Sequence, residues 1–96
     1  MIELFIIKAK ITFSANSLRT WPIDNGYKPL FDFGNDIKTS GIIKGKLEKG
    51  ETSEVEIYFY TDEPFKTISN GTKFRFYEWP NLIGTGEINE IIGWSY

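Results

Sequence analysis

Polar and apolar residues alternate along this chain in short stretches and do not recur at helical spacing. Lys8, Lys10 and Thr12 interleave with Ala9, Ile11 and Phe13, the period-two pattern of a strand with one solvated and one buried face. Glu54-Val55-Glu56-Ile57 running into Tyr58-Phe59-Tyr60 repeats the pattern, as does Lys73-Phe74-Arg75-Phe76. Shorter candidate strands cover residues 27–33, 41–47 and 84–92. Turn formers separate them: Asp24-Asn25-Gly26, Gly34-Asn35-Asp36, Lys49-Gly50-Glu51, Asn70-Gly71 and Trp79-Pro80-Asn81. No window carries a good amphipathic helix, and short strands recurring about every 8 to 14 residues read as an all-β barrel or sandwich. The alternation turns Ile11, Phe13, Phe31, Phe33, Val55, Ile57, Phe74 and Phe76 inward. Residues 84–92 lack clean alternation, because Ile91 and Ile92 are consecutive and face opposite ways; cover on both faces is expected there.

With 96 residues, no internal repeat and no linker, residues 1–96 read as one domain. A chain this short buries only about 60 to 65% of its unfolded surface, and without Cys or His no disulfide or zinc site can supplement the core. Eight Phe, five Tyr and three Trp carry that burden. Trp21, Trp79, Trp94 and Tyr96 are expected in turns or at the C-terminus, where rings either plug barrel ends or stand exposed to stack on a partner.

The missing His and Cys also remove the imidazole base, the thiolate nucleophile and most metal ligand sets. Carboxylates, Lys, Tyr and Ser/Thr are what remain for catalysis or oxygen-liganded metals, and no carboxylate is well placed. Glu54 and Glu56 project from one strand face, where a solvated surface beside lysines is expected, while Asp62-Glu63 and Asp32 with Asp36 lie in or near turns that favour Asp for backbone hydrogen bonds. Gly84-Thr85-Gly86 lacks the Lys and helix of a phosphate loop and suits close strand packing. Neither enzyme activity, a metal, a cofactor nor a bound nucleotide is therefore expected. A formal net charge of −2 argues against binding nucleic acid through the overall field. Lys28, Lys44, Lys46, Lys73 and Arg75 alternate along strands and are expected on the outer face. The apolar opening, residues 2–7, is too short and charged for a membrane span and has no cleavage site behind it. A cytoplasmic protein is expected, in which Asn70-Gly71-Thr72 is a turn and not a glycosylation site.

Asn25-Gly26-Tyr27-Lys28-Pro29-Leu30-Phe31-Asp32-Phe33 resembles the Asn-Gly-Tyr-Arg-Pro-Gln-Phe-Tyr-Phe segment of the C-terminal domain of elongation factor Tu. Further matches keep the order: Arg19-Thr20 upstream, then Gly41-Ile42-Ile43, Lys49-Gly50-Glu51, Val55-Glu56-Ile57 before Pro64, Gly71 to Phe76, and Ile83-Gly84-Thr85-Gly86. The resemblance spans about residues 8 to 92. It implies a six-stranded antiparallel β-barrel, a domain that in the factor packs on the GTPase domain and contacts both the T stem of tRNA and the nucleotide exchange factor.

Departures fall where the resembled family meets its partners. Leu30 stands in place of Gln, Glu63 of Lys, Tyr77 and Asn81 of Arg, and Trp79-Pro80 of a Gly-Gly loop, while Arg19 and Lys28 keep their charge. The lost positive charge opposes tRNA binding, since phosphate contacts dominate nucleic-acid affinity. The expected activity is therefore that of a binding module with a protein partner, for example a mimic or antitoxin-type decoy. The alternative is an RNA-binding accessory of translation that uses Arg19, Lys28 and stacking on Trp79. Under either reading the partner surface is the loop face with Arg19, Trp21, Lys28, Trp79 and Asn81.

Overall fold

A computed structural model describes residues 3–14, 28–34, 36–45 and 52–95. The predicted turns at 24–26 and 49–51, the central residue of the 34–36 turn, and Tyr27, Lys46 and Leu47 lie outside the described residues. The strands are β1 (Leu4–Phe13), β2 (Leu30–Asp32), β3 (Lys38–Lys44), β4 (Thr52–Phe59), β5 (Lys73–Glu78) and β6 (Asn81–Ser95). They close into a barrel in the order β1-β4-β3-β2-β5-β6, and every ladder is antiparallel. The fold is thus an all-β, six-stranded antiparallel closed barrel.

Strand alternation decides what fills it. The eight side chains expected inside are all buried, and Phe5, Ile7, Ala9, Ile43, Phe59, Phe65, Ile83 and Ile88 join them. All eight phenylalanines of the chain are in this core. Phe31 sits among Phe33, Phe59, Phe74 and Phe76 with ring centroids 5.4 to 6.3 Å apart, spacings at which aromatic pairs attract beyond their buried area. So many rings fit because inward positions on the facing strands are glycines. A Cβ on Gly84 would lie 2.5 Å from both the Phe76 ring and the Thr12 carbonyl oxygen, and one on Gly86 would run into the Phe74 ring. Close packing is therefore the role of the Gly84-Thr85-Gly86 segment.

β6 is long enough to span the barrel and pairs along its whole length only by skipping residues. Its register shifts by one residue against β5 at Ile83 and against β1 at Asn89 and Ile92. Each bulge raises the local twist that closure needs, and each resets which residues point inward. Ile91 consequently packs on the core while Ile92 is 46% exposed; the cover expected on both faces here is absent among the described residues. The Asn70-Gly71 turn is tied to this strand, with the Ile91 N–H donating to Asn70 Oδ1 at 3.1 Å and the Gly71 N–H to the Ile88 carbonyl at 2.7 Å.

One barrel end carries a plug that strand alternation does not foretell. A single 3-10 turn, Glu63–Lys66, follows β4 with Pro64 in its first turn, and it turns Phe65 down against Phe5, Phe33 and Phe59 at 4.8 to 5.4 Å. Trp94, expected in a turn or at the C-terminus, lies near the C-terminal end of β6 and meets Phe5 edge-on at 5.5 Å. No helix among the described residues is long and apolar enough to cross a membrane.

Candidate functional site

The outer surface divides by row. Most outward rows alternate in charge: Lys8 is opposite Glu56 and Glu90, Lys10 opposite Glu54 and Glu87, Lys44 opposite Glu56, and Lys73 opposite Glu87. Glu54 and Glu56 thus face lysines, as expected of a solvated wall, and no group of acidic side chains among the described residues is arranged to hold a metal. Asp32 likewise has a structural partner, accepting the Gly34 N–H at 2.9 Å. Lys28, Lys44, Lys73 and Arg75 all point outward and are exposed; Lys46 lies outside the described residues. A groove of about 840 Å³ over β1, β6, β5 and β2 mixes Lys10, Lys73 and Arg75 with Asp32 and Glu87, so its charges offset one another.

Two neighbouring outward rows are different. One runs Ile6–Tyr58–Ile42 across β1, β4 and β3, and the next runs Ser40–Leu30–Tyr77–Leu82 across β3, β2, β5 and β6. Tyr60 follows the Phe59–Gly41 pair and lies at the Ser40 end of the second row. Trp79 continues the outward side of β5 and meets the Tyr77 ring at 5.4 Å. The result is an apolar and aromatic band around the barrel wall, on which Trp79 is 65%, Tyr60 52% and Leu82 43% exposed. Tyr58, Tyr77, Leu30 and Ile42 are half-buried beside them.

Lysines line this band. The Lys28 ammonium stands over the Tyr60 ring at 5.1 Å, Lys38 over Trp79 at 5.3 Å and Lys44 over Tyr58 at 5.6 Å, within cation–π range. The Tyr58 hydroxyl donates to Glu56 at 2.9 Å. That bond, with burial and the Glu56 charge adding to it, raises the Tyr58 phenol above its ordinary pKa.

Of the residues singled out in the sequence, Lys28, Trp79 and Asn81 are brought to one end of the β2–β5–β6 wall. Leu30 pairs with Tyr77 antiparallel, so the chain entering β2 and the chain leaving β5 share that end, where the cis Trp79–Pro80 peptide joins Glu78 to Asn81. Arg19 and Trp21 lie outside the described residues. Trp79 does not plug the barrel; it lies on the outer wall. Reading the loops alone overlooked Tyr58, Tyr60, Ile42 and Lys38, and Leu30 and Tyr77 were named only as departures from the resembled family. Their signal was present as consecutive apolar residues within strands, such as Ile42-Ile43, Leu30-Phe31 and Tyr58-Phe59-Tyr60, which mark strands with apolar side chains on both faces. No protein-family model matches the chain, and no curated protein matches it.

Proposed function

We propose that this barrel is a non-enzymatic binding module that docks a protein partner on the aromatic band. The observation that carries the reading is the sorting of aromatic residues: every Phe is inside, whereas Tyr58, Tyr60, Tyr77, Trp79 and Trp94 reach the surface or lie half-buried beneath it. Tyr and Trp combine a large apolar body with a polar edge and are enriched at protein interfaces. Isolated exposed rings would need no explanation; a contiguous band crossing six strands does.

The resemblance to the C-terminal domain of elongation factor Tu supports the same reading. Leu30, Tyr77 and Trp79, three of the positions at which this chain departs from that family, all fall on the band. A face on which Leu, Tyr and Trp stand where the family has Gln, Arg and Gly suits a mimic or decoy that competes for a protein, including an antitoxin-type partner, better than a tRNA contact. RNA is the second reading, favoured by the lysines beside Tyr60 and Trp79, since cations with stacking rings also serve single strands.

Affinity purification of the chain from its native cell separates the two. A protein is expected to co-elute in stoichiometric amount, without enrichment of RNA. Tight tRNA binding whose logarithm falls steeply with log salt, as several phosphate contacts require, would overturn the protein reading.

A further inference from the structure

We propose that the partner of the aromatic band is an acidic polypeptide segment in which Asp or Glu side chains are interspersed with apolar ones; this rests on the protein-binding reading above and adds the chemistry of the ligand. Lys38 and Lys44 each sit directly across a ladder from a carboxylate, Asp32 and Glu56. Neither forms an ion pair with it. Asp32 accepts the Gly34 N–H and Glu56 the Tyr58 hydroxyl, while the two ammoniums lie over Trp79 and Tyr58, and the Lys28 ammonium lies over Tyr60. Among the described residues the ion pair is Lys66–Glu63, at 3.2 Å on the 3-10 turn, and none of the band's lysines belongs to one.

An ammonium over a ring face is held in place yet keeps N–H donors for an acceptor. A carboxylate arriving there gains a charge-assisted hydrogen bond beside apolar surface that excludes water. Three such positions edge the band, and Tyr60, Leu82 and Trp79 offer apolar contact between them. The band thus presents positive charge on a protein whose formal net charge is −2. A nucleic acid fits less well. Its phosphates need a continuous positive track, whereas the adjoining rows place Glu56, Asp32 and Glu90 among the lysines.

The test is an NMR titration of the full chain, following the Trp79 indole N–H and the Tyr60 ring. The probes are a synthetic twelve-residue peptide alternating Glu and Asp with Leu and Phe, its Gln and Asn counterpart, and a twelve-nucleotide oligouridylate. The acidic peptide is expected to shift both signals saturably and to bind about tenfold or more tighter than the neutral one, a difference of about 1.4 kcal/mol. Lys28→Glu, Lys38→Glu and Lys44→Glu together should lose that binding, and the corresponding Lys→Gln triple, which adds no repulsion, should lose it as well. Equal affinity for both peptides, no saturable shift with the acidic one, tighter oligouridylate binding, or occupation of the band by a second copy of the chain would each overturn the proposal. If a captured protein partner needs Tyr60 and Trp79 but is indifferent to the lysine triples, the acidic chemistry fails while the binding-module reading survives.

Discussion

At the scale of single residues, the division between Phe inside and Tyr or Trp outside is matched by glycines that make room for the rings. Gly84 is the most constrained, because one of the atoms its Cβ would meet at 2.5 Å is the backbone oxygen of Thr12, which cannot rotate away. Gly84→Ala is expected to destabilise the barrel by about 3 kcal/mol, the upper part of the range for overpacked cores, read as a lower denaturant midpoint at unchanged slope. On the outer side, the hydrogen bond to Glu56 raises the Tyr58 pKa. A raised phenol pKa means the neutral form is favoured in the fold; the stabilisation is fully present below the unfolded phenol's value and is lost as pH rises through the folded one. Residue-resolved NMR titration should find Tyr58 ionising above an ordinary tyrosine, and Glu56→Gln should bring it down. An unchanged midpoint in that variant would remove Glu56 as the cause.

At the scale of elements, legibility followed periodicity. β1, β4 and β5 could be read from the stretches 8–13, 54–57 and 73–76, where polar and apolar residues alternate, and the eight side chains predicted to face inward are all buried. β6 was read as residues 84–92 but extends over Asn81–Ser95, because bulges at Ile83, Asn89 and Ile92 reset its parity and a two-residue period cannot register a skipped residue. The plug was illegible for a different reason: Glu63-Pro64-Phe65-Lys66 has no period at all, and its importance lies in where the barrel end brings Phe65. Phe65→Ala should cost about 3 to 5 kcal/mol, as truncating a buried Phe does, with amide exchange accelerating first at the neighbouring ends of β1 and β4. Uniform acceleration throughout the barrel would mean the plug has no local role.

At the scale of the whole molecule, a closed barrel leaves no sheet edge to bind through, so recognition falls to the outer wall and the loops. Loop positions could be named from turn residues and family resemblance, and Lys28, Trp79 and Asn81 do share one end. The wall could not, since seeing that Tyr58, Ile42, Leu30 and Tyr77 form neighbouring rows requires the strand order and register. The proposed docking site is this band, and not the charge-alternating rows that adjoin it. Quantitative capture from the native cell tests this directly, comparing the unmodified chain with Tyr60→Ala/Trp79→Ala and with Lys10→Ala/Lys73→Ala on the charge-alternating rows. The band variant should lose the partner by about 30-fold or more, given that buried aromatic anchors can each contribute above about 2 kcal/mol, while the other variant retains it. Equal retention by the two variants, or loss only in the Lys10→Ala/Lys73→Ala variant, would contradict the account.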